Sequence, residues 1–458
     1  MTAVVGLAGL FAGAGLFALL VSWEKAGRQG RVLWLVLAVV AFEALTQTSS
    51  PSVPIGAFRI PVGVFDARPI DLLLPVALLA KVLSRPTRLE VSRVSIYWVV
   101  LVGWLIVGAY WGYASHQRTG DVVNQLRGML IIVGTMLLVG GVTPRSEAIQ
   151  KVSQRIEPYL LAFVVFIYFV RFSGALAPAN LLPVVGLSSR GRLPPEAALV
   201  LLGVGAFVMA NQLLAGRRSM VGWTGSMLAI LAPLLHRQGA NFVALAAVLL
   251  VIVAVSYTPS FRARVHLTGT EVAMFLVTSL VVGLSGQFFL GDELEVVDSV
   301  EAALFSDVQE RTSLARLRLW SDSVSLISES PLMGEGVGAQ LTLESPNKNP
   351  QRVSAHNVLI DVALRGGVPA LLLAIIALIT TFRVGWAAWR RASGAQAALA
   401  LWAMAMVAGV LAKGMVESSF DQFRQGTLFG VALGAVVALD NHLVNPARLR
   451  REGIALGD

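Results

Sequence analysis

Two stretches, Ile131-Ile-Val-Gly-Thr-Met-Leu-Leu-Val-Gly-Gly-Val142 and Val243-Ala-Leu-Ala-Ala-Val-Leu-Leu-Val-Ile-Val-Ala-Val255, contain no charged residue. Such apolar blocks recur along the 458 residues, separated by short polar stretches, which is the pattern of repeated bilayer crossings. Only 14% of the residues are charged and 56% are hydrophobic, whereas a soluble domain carries about 25% charged residues. A water-soluble core cannot enclose that much apolar surface, so the sequence predicts an integral membrane protein.

The surplus of basic residues follows the membrane topology. In a soluble protein a net charge of +9 would suggest nucleic acid as a partner. Here the charges fall in alternate connections between apolar blocks. We therefore expect a lipid bilayer and no nucleic acid as partner, with the C-terminus in the cytoplasm. The clusters are Lys25, Arg28 and Arg31; Lys81, Arg85, Arg88 and Arg93; Arg145, Lys151 and Arg155; Arg217 and Arg218; Arg262 and Arg264; Arg383, Arg390 and Arg391; Arg448, Arg450 and Arg451.

The apolar blocks predict an all-α, polytopic protein with about 12–13 transmembrane helices and one long extracytoplasmic loop. The first block, Val4 to Val21, lacks a basic leader and a cleavage site and is interpreted as a retained helix. The predicted crossings are residues 2–22, 32–47, 69–84, 95–113, 124–142, 158–173, 196–215, 219–235, 240–256, 270–290, 367–386, 397–415 and 425–440.

These crossings divide the chain into four predicted parts. Residues 1–290 hold about ten transmembrane helices, 291–358 form an extracytoplasmic loop, 359–442 hold about three more helices, and 443–458 form a basic cytoplasmic tail. Loops as long as 291–358 usually have a function. Its middle places Leu314, Leu317, Trp320, Val324 and Leu326 at helical spacing, which predicts a surface helix over Ser313–Ser328. Turns are expected at three prolines, Pro331, Pro346 and Pro350.

The segment from residue 311 to 375 carries several short motifs. They are Arg316-Leu-Arg318-Leu-Trp320, Pro331-Leu-Met-Gly334-Glu-Gly336-Val-Gly338, His356-Asn357 and Gly367-Val-Pro369. Their spacing resembles the O-antigen ligase and polymerase superfamily, whose members show an Arg four residues before a Trp, a Pro-Leu-x-Gly-x-Gly turn, and a His-Asn pair followed by a Gly-x-Pro that opens a helix. The long outer loop, placed late in a multi-helix chain, extends the resemblance to the architecture.

The resemblance implies a membrane glycosyltransferase of the bacterial cytoplasmic membrane, active on its extracytoplasmic side. Such an enzyme takes a glycan from a polyprenyl diphosphate carrier, such as undecaprenyl diphosphate, and joins it to an acceptor hydroxyl with inversion. The acceptor is a glycan, lipid or protein, and other polysaccharide assembly proteins are expected partners. No cofactor and no metal are implied. Polymerisation of repeat units is slightly favoured over ligation of a finished glycan.

The chemistry assigns roles to particular residues. A diphosphate leaving group gains negative charge, which the always-charged guanidinium of Arg316 suits, and the acceptor hydroxyl needs a base such as His356. These two are the predicted catalytic residues. Residues predicted to bind the diphosphate or glycan are Arg190, Arg192, Arg237, Arg318 and Asn357.

The sequence departs from the family pattern at two positions. The family's Arg-Gly pair at a helix entrance is displaced here, because Gln238 separates Arg237 from Gly239. Arg365 stands two positions before a glycine, where relatives carry an acidic residue, so that carboxylate is absent or supplied by Asp361. Lys413 and Glu417 lie one helical turn apart, either neutralising each other or lining a polar cavity.

Other functions fit the sequence less well. There is no Walker A motif, His-Glu-x-x-His motif, Gly-x-Ser-x-Gly elbow or cysteine in the chain. A secondary transporter or lipid-linked glycan flippase predicts internal repeats, which are not seen. A non-catalytic scaffold for polysaccharide assembly would tolerate replacement of His356. Both remain alternatives to the transferase.

Overall fold

A computed structural model of the chain describes residues 60–62, 65–67, 69–84, 92–172, 195–216, 218–235, 239–258, 307–345, 348–417 and 423–444, with isolated positions between 16 and 35. Within those residues, seven helices are long and apolar enough to cross a membrane, and two more are shorter and apolar. The predicted all-α polytopic membrane protein is confirmed. Three predicted crossings, residues 2–22, 32–47 and 270–290, lie wholly or mostly outside the described residues, so the total of about thirteen stays a prediction.

Ten of the predicted crossings coincide with helices of the structure. In chain order the elements are β1 (Ile60–Val62), β2 (Phe65–Ala67), α1 (Pro69–Ser84), α2 (Arg93–Ala114), α3 (Thr119–Gly140), α4 (Ser146–Phe172), α5 (Pro195–Leu214), α6 (Met220–Leu235), α7 (Gly239–Ser256), α8 (Asp307–Glu329), β3 (Leu341–Ser345), β4 (Lys348–Val353), α9 (Val358–Arg391), α10 (Gly394–Gly414) and α11 (Phe423–Leu439), followed by a π-helical turn, Asp440–Val444.

Small residues bring the central helices close together. Along α11, Gly426, Gly430 and Gly434 lie against α3, and an added Cβ at Gly430 would stand 2.6 Å from the carbonyl oxygen of Ile132. In lipid, little hydrophobic driving force remains for helices to associate. Membrane helices therefore depend on close packing, which small residues such as these glycines allow. Helices α2, α3, α9, α10 and α11 form one buried core, with α5 and α7 packed on it.

The bundle has two chemically different ends. At one end Ser92 hydrogen-bonds Asp440, and the guanidinium groups of Arg93 and Arg391 lie beside that carboxylate. We call this end the basic pole. The other end, where α2 and α10 finish and α9 begins, carries the recognised motifs and is called the motif pole.

Helix α9 is bent where the Gly-x-Pro motif occurs. Gly366 and Gly367 leave the helical conformation, and Gly367 adopts φ +70°, which favours glycine. The carbonyl freed at Gly366 accepts a hydrogen bond from the Trp104 indole at 2.7 Å. Pro369 then starts the second segment, where its missing N–H costs nothing. The bend leaves Val358–Arg365 as a short separate segment, and the rest, about 36 Å long, is sufficient to span a bilayer.

The loop subdomain consists of α8, the glycine turn at residues 331–338, and the β3–β4 hairpin. Helix α8 confirms the predicted helix, but its buried face is made by Leu319 and Ser323, whereas Leu317 and Val324 are 56% and 58% exposed. Packing against the start of α9 and against the hairpin decides which face is buried, and the sequence does not show these partners.

The hairpin itself is absent from the prediction. Strands β3 and β4 pair antiparallel from Leu341 opposite Val353 to Ser345 opposite Lys348. Pro350, predicted to form a turn, lies within β4, which it can do because both strands of a two-stranded sheet are edges. Pro331 begins the glycine turn as predicted, and Pro346 lies outside the described residues.

The glycine turn docks on three helices through its backbone amides. Glu335 N–H donates to Leu364 O at 2.8 Å, Val337 N–H to Gly108 O at 3.0 Å, and Gly338 N–H to Gln125 Oε1 at 2.7 Å. Gly334, Gly336 and Gly338 all have positive φ. These amides are satisfied within the protein, so the turn anchors the loop subdomain and does not cradle a phosphate.

We predict that Gly112→Ala weakens this docking, because an added Cβ would collide with the carbonyl oxygen of Val337. The apparent unfolding temperature of the detergent-purified protein should fall by several degrees, reflecting an overpacking cost of about 1–3 kcal/mol. Gly103→Ala on the same helix meets no atom within 4 Å and is the matched control, expected to be neutral or slightly stabilising. Equal behaviour of the two variants would contradict the docking.

Candidate functional site

Helix α8 is fixed to the entrance of α9 by a small apolar core. Leu319, Ala339, Leu341, Ala355 and Leu364 are buried together where α8, the hairpin and α9 meet. This core brings residues that are distant in sequence to one place at the motif pole.

The residue before His356 is held from two sides. The indole N–H of Trp320, on α8, donates to the carbonyl of Ala355 at 2.8 Å, and the Ala355 N–H donates to Asp361 Oδ1 at 2.9 Å. Asp361 is itself buried in the first segment of α9. The Trp of the Arg-x-x-x-Trp motif therefore positions the backbone next to the histidine.

Asn357 is the N-cap of α9. Its side-chain oxygen accepts hydrogen bonds from Leu359 N–H at 3.1 Å and Ile360 N–H at 3.3 Å, which satisfies amides at the start of the helix. Asn357 is buried, and the oxygen is occupied by capping. The predicted role in binding substrate stays a prediction that depends on its amide nitrogen.

His356 has a strained backbone. Its φ is +53°, a left-handed conformation that costs a non-glycine residue on the order of 1–2 kcal/mol. The clamp on Ala355 and the cap at Asn357 fix the backbone on both sides of it. Backbone strain of this kind is concentrated at functional sites, where surrounding contacts maintain it. Here those contacts fix the position of the half-buried imidazole.

Burial and a neighbouring charge favour the unprotonated form of His356. Burial lowers the pKa of the imidazole below its ordinary value, the Arg316 guanidinium lowers it further, and the Glu417 carboxylate opposes both. A histidine whose pKa lies below about 6.5 is unprotonated at pH 7. Such an imidazole can accept a proton.

The predicted arginines and His356 fall into three groups: two residues that come together, one that is exposed, and three that lie outside the described residues. His356 and Arg316 come together although they are forty positions apart in the sequence. Arg318, two positions along α8, is exposed. Arg190, Arg192 and Arg237 lie outside the described residues, so their predicted contacts stay predictions.

Lys413 and Glu417, for which the sequence leaves mutual neutralisation and a cavity lining open, form an ion pair near His356. Lys413 Nζ lies 3.1 Å from Glu417 Oε2, with the lysine side chain 0% and the glutamate side chain 26% exposed. The carboxylate is close enough to affect His356. The signal in the sequence was a charged pair one turn apart at the end of an otherwise apolar helix.

The described residues contain no group of three or more His, Cys, Asp or Glu side chains that could hold a metal ion. What the site contains is a neutral imidazole, a guanidinium, and a carboxylate paired with a buried ammonium group. Such a set can bind an anionic group and accept a proton.

Residues 224–375 match the sequence model of the O-antigen ligase family. The match covers about a third of the chain, from within α6 to within α9, and includes Arg316, the glycine turn and His356. No curated protein matches the chain. The match confirms the resemblance to the O-antigen ligase and polymerase superfamily. The chain is thus a multi-pass membrane protein in which residues 224–375 are similar to the O-antigen ligase family.

We predict that Arg316→Gln raises the pKa of His356, because it removes a positive charge that disfavours the imidazolium. The measurement is a pH titration of ¹⁵N-histidine-labelled protein in detergent by NMR. The chain has five histidines, and the His356 signal is identified by its loss in His356→Asn. Arg318→Gln is the matched control and should leave the titration midpoint in place. A midpoint that Arg316→Gln does not move would show that the two side chains are not neighbours.

Proposed function

We propose, from the O-antigen ligase domain at residues 224–375, that the chain transfers a glycan from a polyprenyl diphosphate carrier to an acceptor hydroxyl. One observation carries the proposal: the loop subdomain brings the guanidinium of Arg316 and the neutral imidazole of His356 together. The reaction requires both groups at once, one for the leaving diphosphate and one for the attacking hydroxyl.

Arg316 stabilises the leaving group in this proposal. As the bond between the anomeric carbon and the diphosphate oxygen breaks, its electron pair moves to that oxygen and negative charge grows there. A guanidinium donates several hydrogen bonds in a fixed plane and never loses its charge, so it meets that charge without a metal. Arg190, Arg192 and Arg237 are candidates for a second contact with the diphosphate.

His356 acts on the acceptor. Its unprotonated ring nitrogen takes the hydroxyl proton while the acceptor oxygen forms the new bond to the anomeric carbon. Attack from the side opposite the diphosphate inverts the configuration of that carbon. The fixed backbone around His356 supports this role, because a base works only within hydrogen-bond reach of the proton it removes.

The proposed location is the extracytoplasmic face of the bacterial cytoplasmic membrane. Arg93 and Arg391 lie at the basic pole, and Arg316 and His356 lie at the motif pole. Because basic helix ends favour the cytoplasm, the motif pole would face outward. The donor's polyprenyl tail would remain in the bilayer while its diphosphate reaches Arg316.

Ligation and polymerisation share this chemistry and differ in the acceptor. We propose polymerisation of repeat units slightly ahead of ligation of a finished glycan to a lipid or protein. The length distribution of the product distinguishes them, because a polymerase makes a ladder of repeat numbers and a ligase attaches whatever length the donor carries.

We predict that His356→Asn and Arg316→Ala abolish transfer, with the lipid-linked donor accumulating. Asn tolerates the left-handed backbone of position 356 but is not a base, so the fold is kept while the roughly 10²–10⁴-fold contribution of a general base is lost. The assay is glycan production in cells that lack the native gene, at matched amounts of protein in the membrane.

Arg318→Ala is the matched control for Arg316→Ala, since it removes the same charge from the exposed face of the same helix. Arg318 is predicted to bind substrate and not to act on the leaving group, so this variant should retain far more transfer than Arg316→Ala. Normal product from His356→Asn would exclude the transferase mechanism and favour a scaffold or transporter.

A further inference from the structure

The buried lysine of α10 needs an explanation. Lys413 is 0% exposed at the end of a helix composed otherwise mainly of Ala, Leu, Met and Val. A lysine removed from water is costly unless its charge is paired, and its partner at 3.1 Å is Glu417. An apolar residue at position 413 would have served packing better. Packing alone therefore does not explain this pair.

Glu417 connects this pair to the candidate site. Its side chain is partly exposed, in contrast to Lys413, and its carboxylate acts on His356 from the α10 side. Arg316 acts on the same imidazole from α8. On α9, Asp361 and Arg365 are buried one and two turns beyond the histidine, with Asp361 committed to the Ala355 amide. Among the groups shown to act on the imidazole, Glu417 supplies the negative charge.

A proton-accepting histidine beside an arginine has a charge problem. On the proposed function, His356 becomes an imidazolium when it takes the acceptor proton, and that cation would then stand near the Arg316 guanidinium. Two like charges in a partly buried site repel strongly unless an anion lies close to them. The donor diphosphate offsets the guanidinium of Arg316, and the imidazolium still needs a negative charge supplied by the protein. Glu417 lies three residues past the end of α10, at the motif pole where α9 begins, and it is a negative charge that acts on His356. Its ion pair with Lys413 at 3.1 Å fixes the carboxylate.

We propose that Glu417 is a positioning residue that balances the charge His356 gains during transfer, and that Lys413 holds it in place. This role rests on the proposed function of His356. It gives the Lys413–Glu417 pair a function beyond neutralising each other's charge. It also makes a third helix, α10, part of a site otherwise built from α8 and α9.

The test is the pH profile of transfer by purified protein, using as donor the lipid-linked glycan that accumulates in cells lacking the gene. Glu417→Gln should lower the plateau rate by about tenfold, part of the roughly 10²–10⁴-fold that a general base contributes. It should also move the acid limb to lower pH, because removing the carboxylate lowers the pKa of His356. A plateau loss with an unmoved acid limb would mean a structural role and would overturn the proposal.

A double variant separates positioning from mutual neutralisation. Lys413→Met and Glu417→Gln each leave one charge without its partner, and the combined variant leaves neither. If the pair is structural, combining the two substitutions restores both unfolding temperature and transfer. If Glu417 acts on His356, the combination restores the unfolding temperature and keeps the transfer defect and the shifted acid limb.

The outcomes for the two proposals are distinguishable. Full transfer by His356→Asn would overturn the proposed function itself. Loss of transfer in His356→Asn, together with restored transfer in the Lys413→Met, Glu417→Gln double variant, would keep the proposed function and overturn the role of Glu417.

Discussion

The hydrogen bond from the Val337 amide to the Gly108 carbonyl joins the loop subdomain to the membrane bundle. Gly108 lies inside α2, where one lone pair of its carbonyl oxygen serves the helix. The second lone pair can accept a hydrogen bond from another segment only if that segment comes very close. That approach requires Gly112 on the helix, where a Cβ would collide with the Val337 backbone, and positive φ at Gly336 on the turn. With this contact made, α8 and the hairpin have a fixed place relative to α9, and His356 has a fixed place relative to Arg316.

Much of the family pattern is explained by this construction. The glycine turn docks on three helices, Trp320 holds the Ala355 carbonyl, Asn357 caps α9, and Gly367 allows its bend. Each of these residue types has a structural task that its geometry shows. His356 and Arg316 differ, because their residue types are not required by packing, capping or a turn in the described part of the chain. The family motifs therefore combine residues that build the scaffold with residues available for chemistry, and the structure distinguishes the two kinds.

How far the sequence predicts this molecule depends on the range of the interactions involved. The spanning helices are predicted well because lipid imposes a long, uninterrupted apolar run on each, and α3 or α7 can be read from composition alone. The β3–β4 hairpin was missed because its strands are short, polar and interrupted by Pro350. The buried face of α8 depends on that hairpin, so it was missed for the same reason. The sequence marks Lys413 and Glu417 as a charged pair at a helix end, but its place beside His356 depends on tertiary packing, which no local pattern records.

The arrangement of charges also connects the two halves of the proposed reaction. Burial and the Arg316 guanidinium both lower the pKa of His356, which favours the unprotonated imidazole. A diphosphate bound at Arg316 would bring negative charge that offsets the guanidinium, and the neighbouring imidazole would then become a stronger base. Proton removal from the acceptor would thus be favoured when the donor is in place. A base controlled in this way avoids deprotonating acceptors or water in an empty site, and it requires the two residues to be neighbours, as the docked loop subdomain makes them.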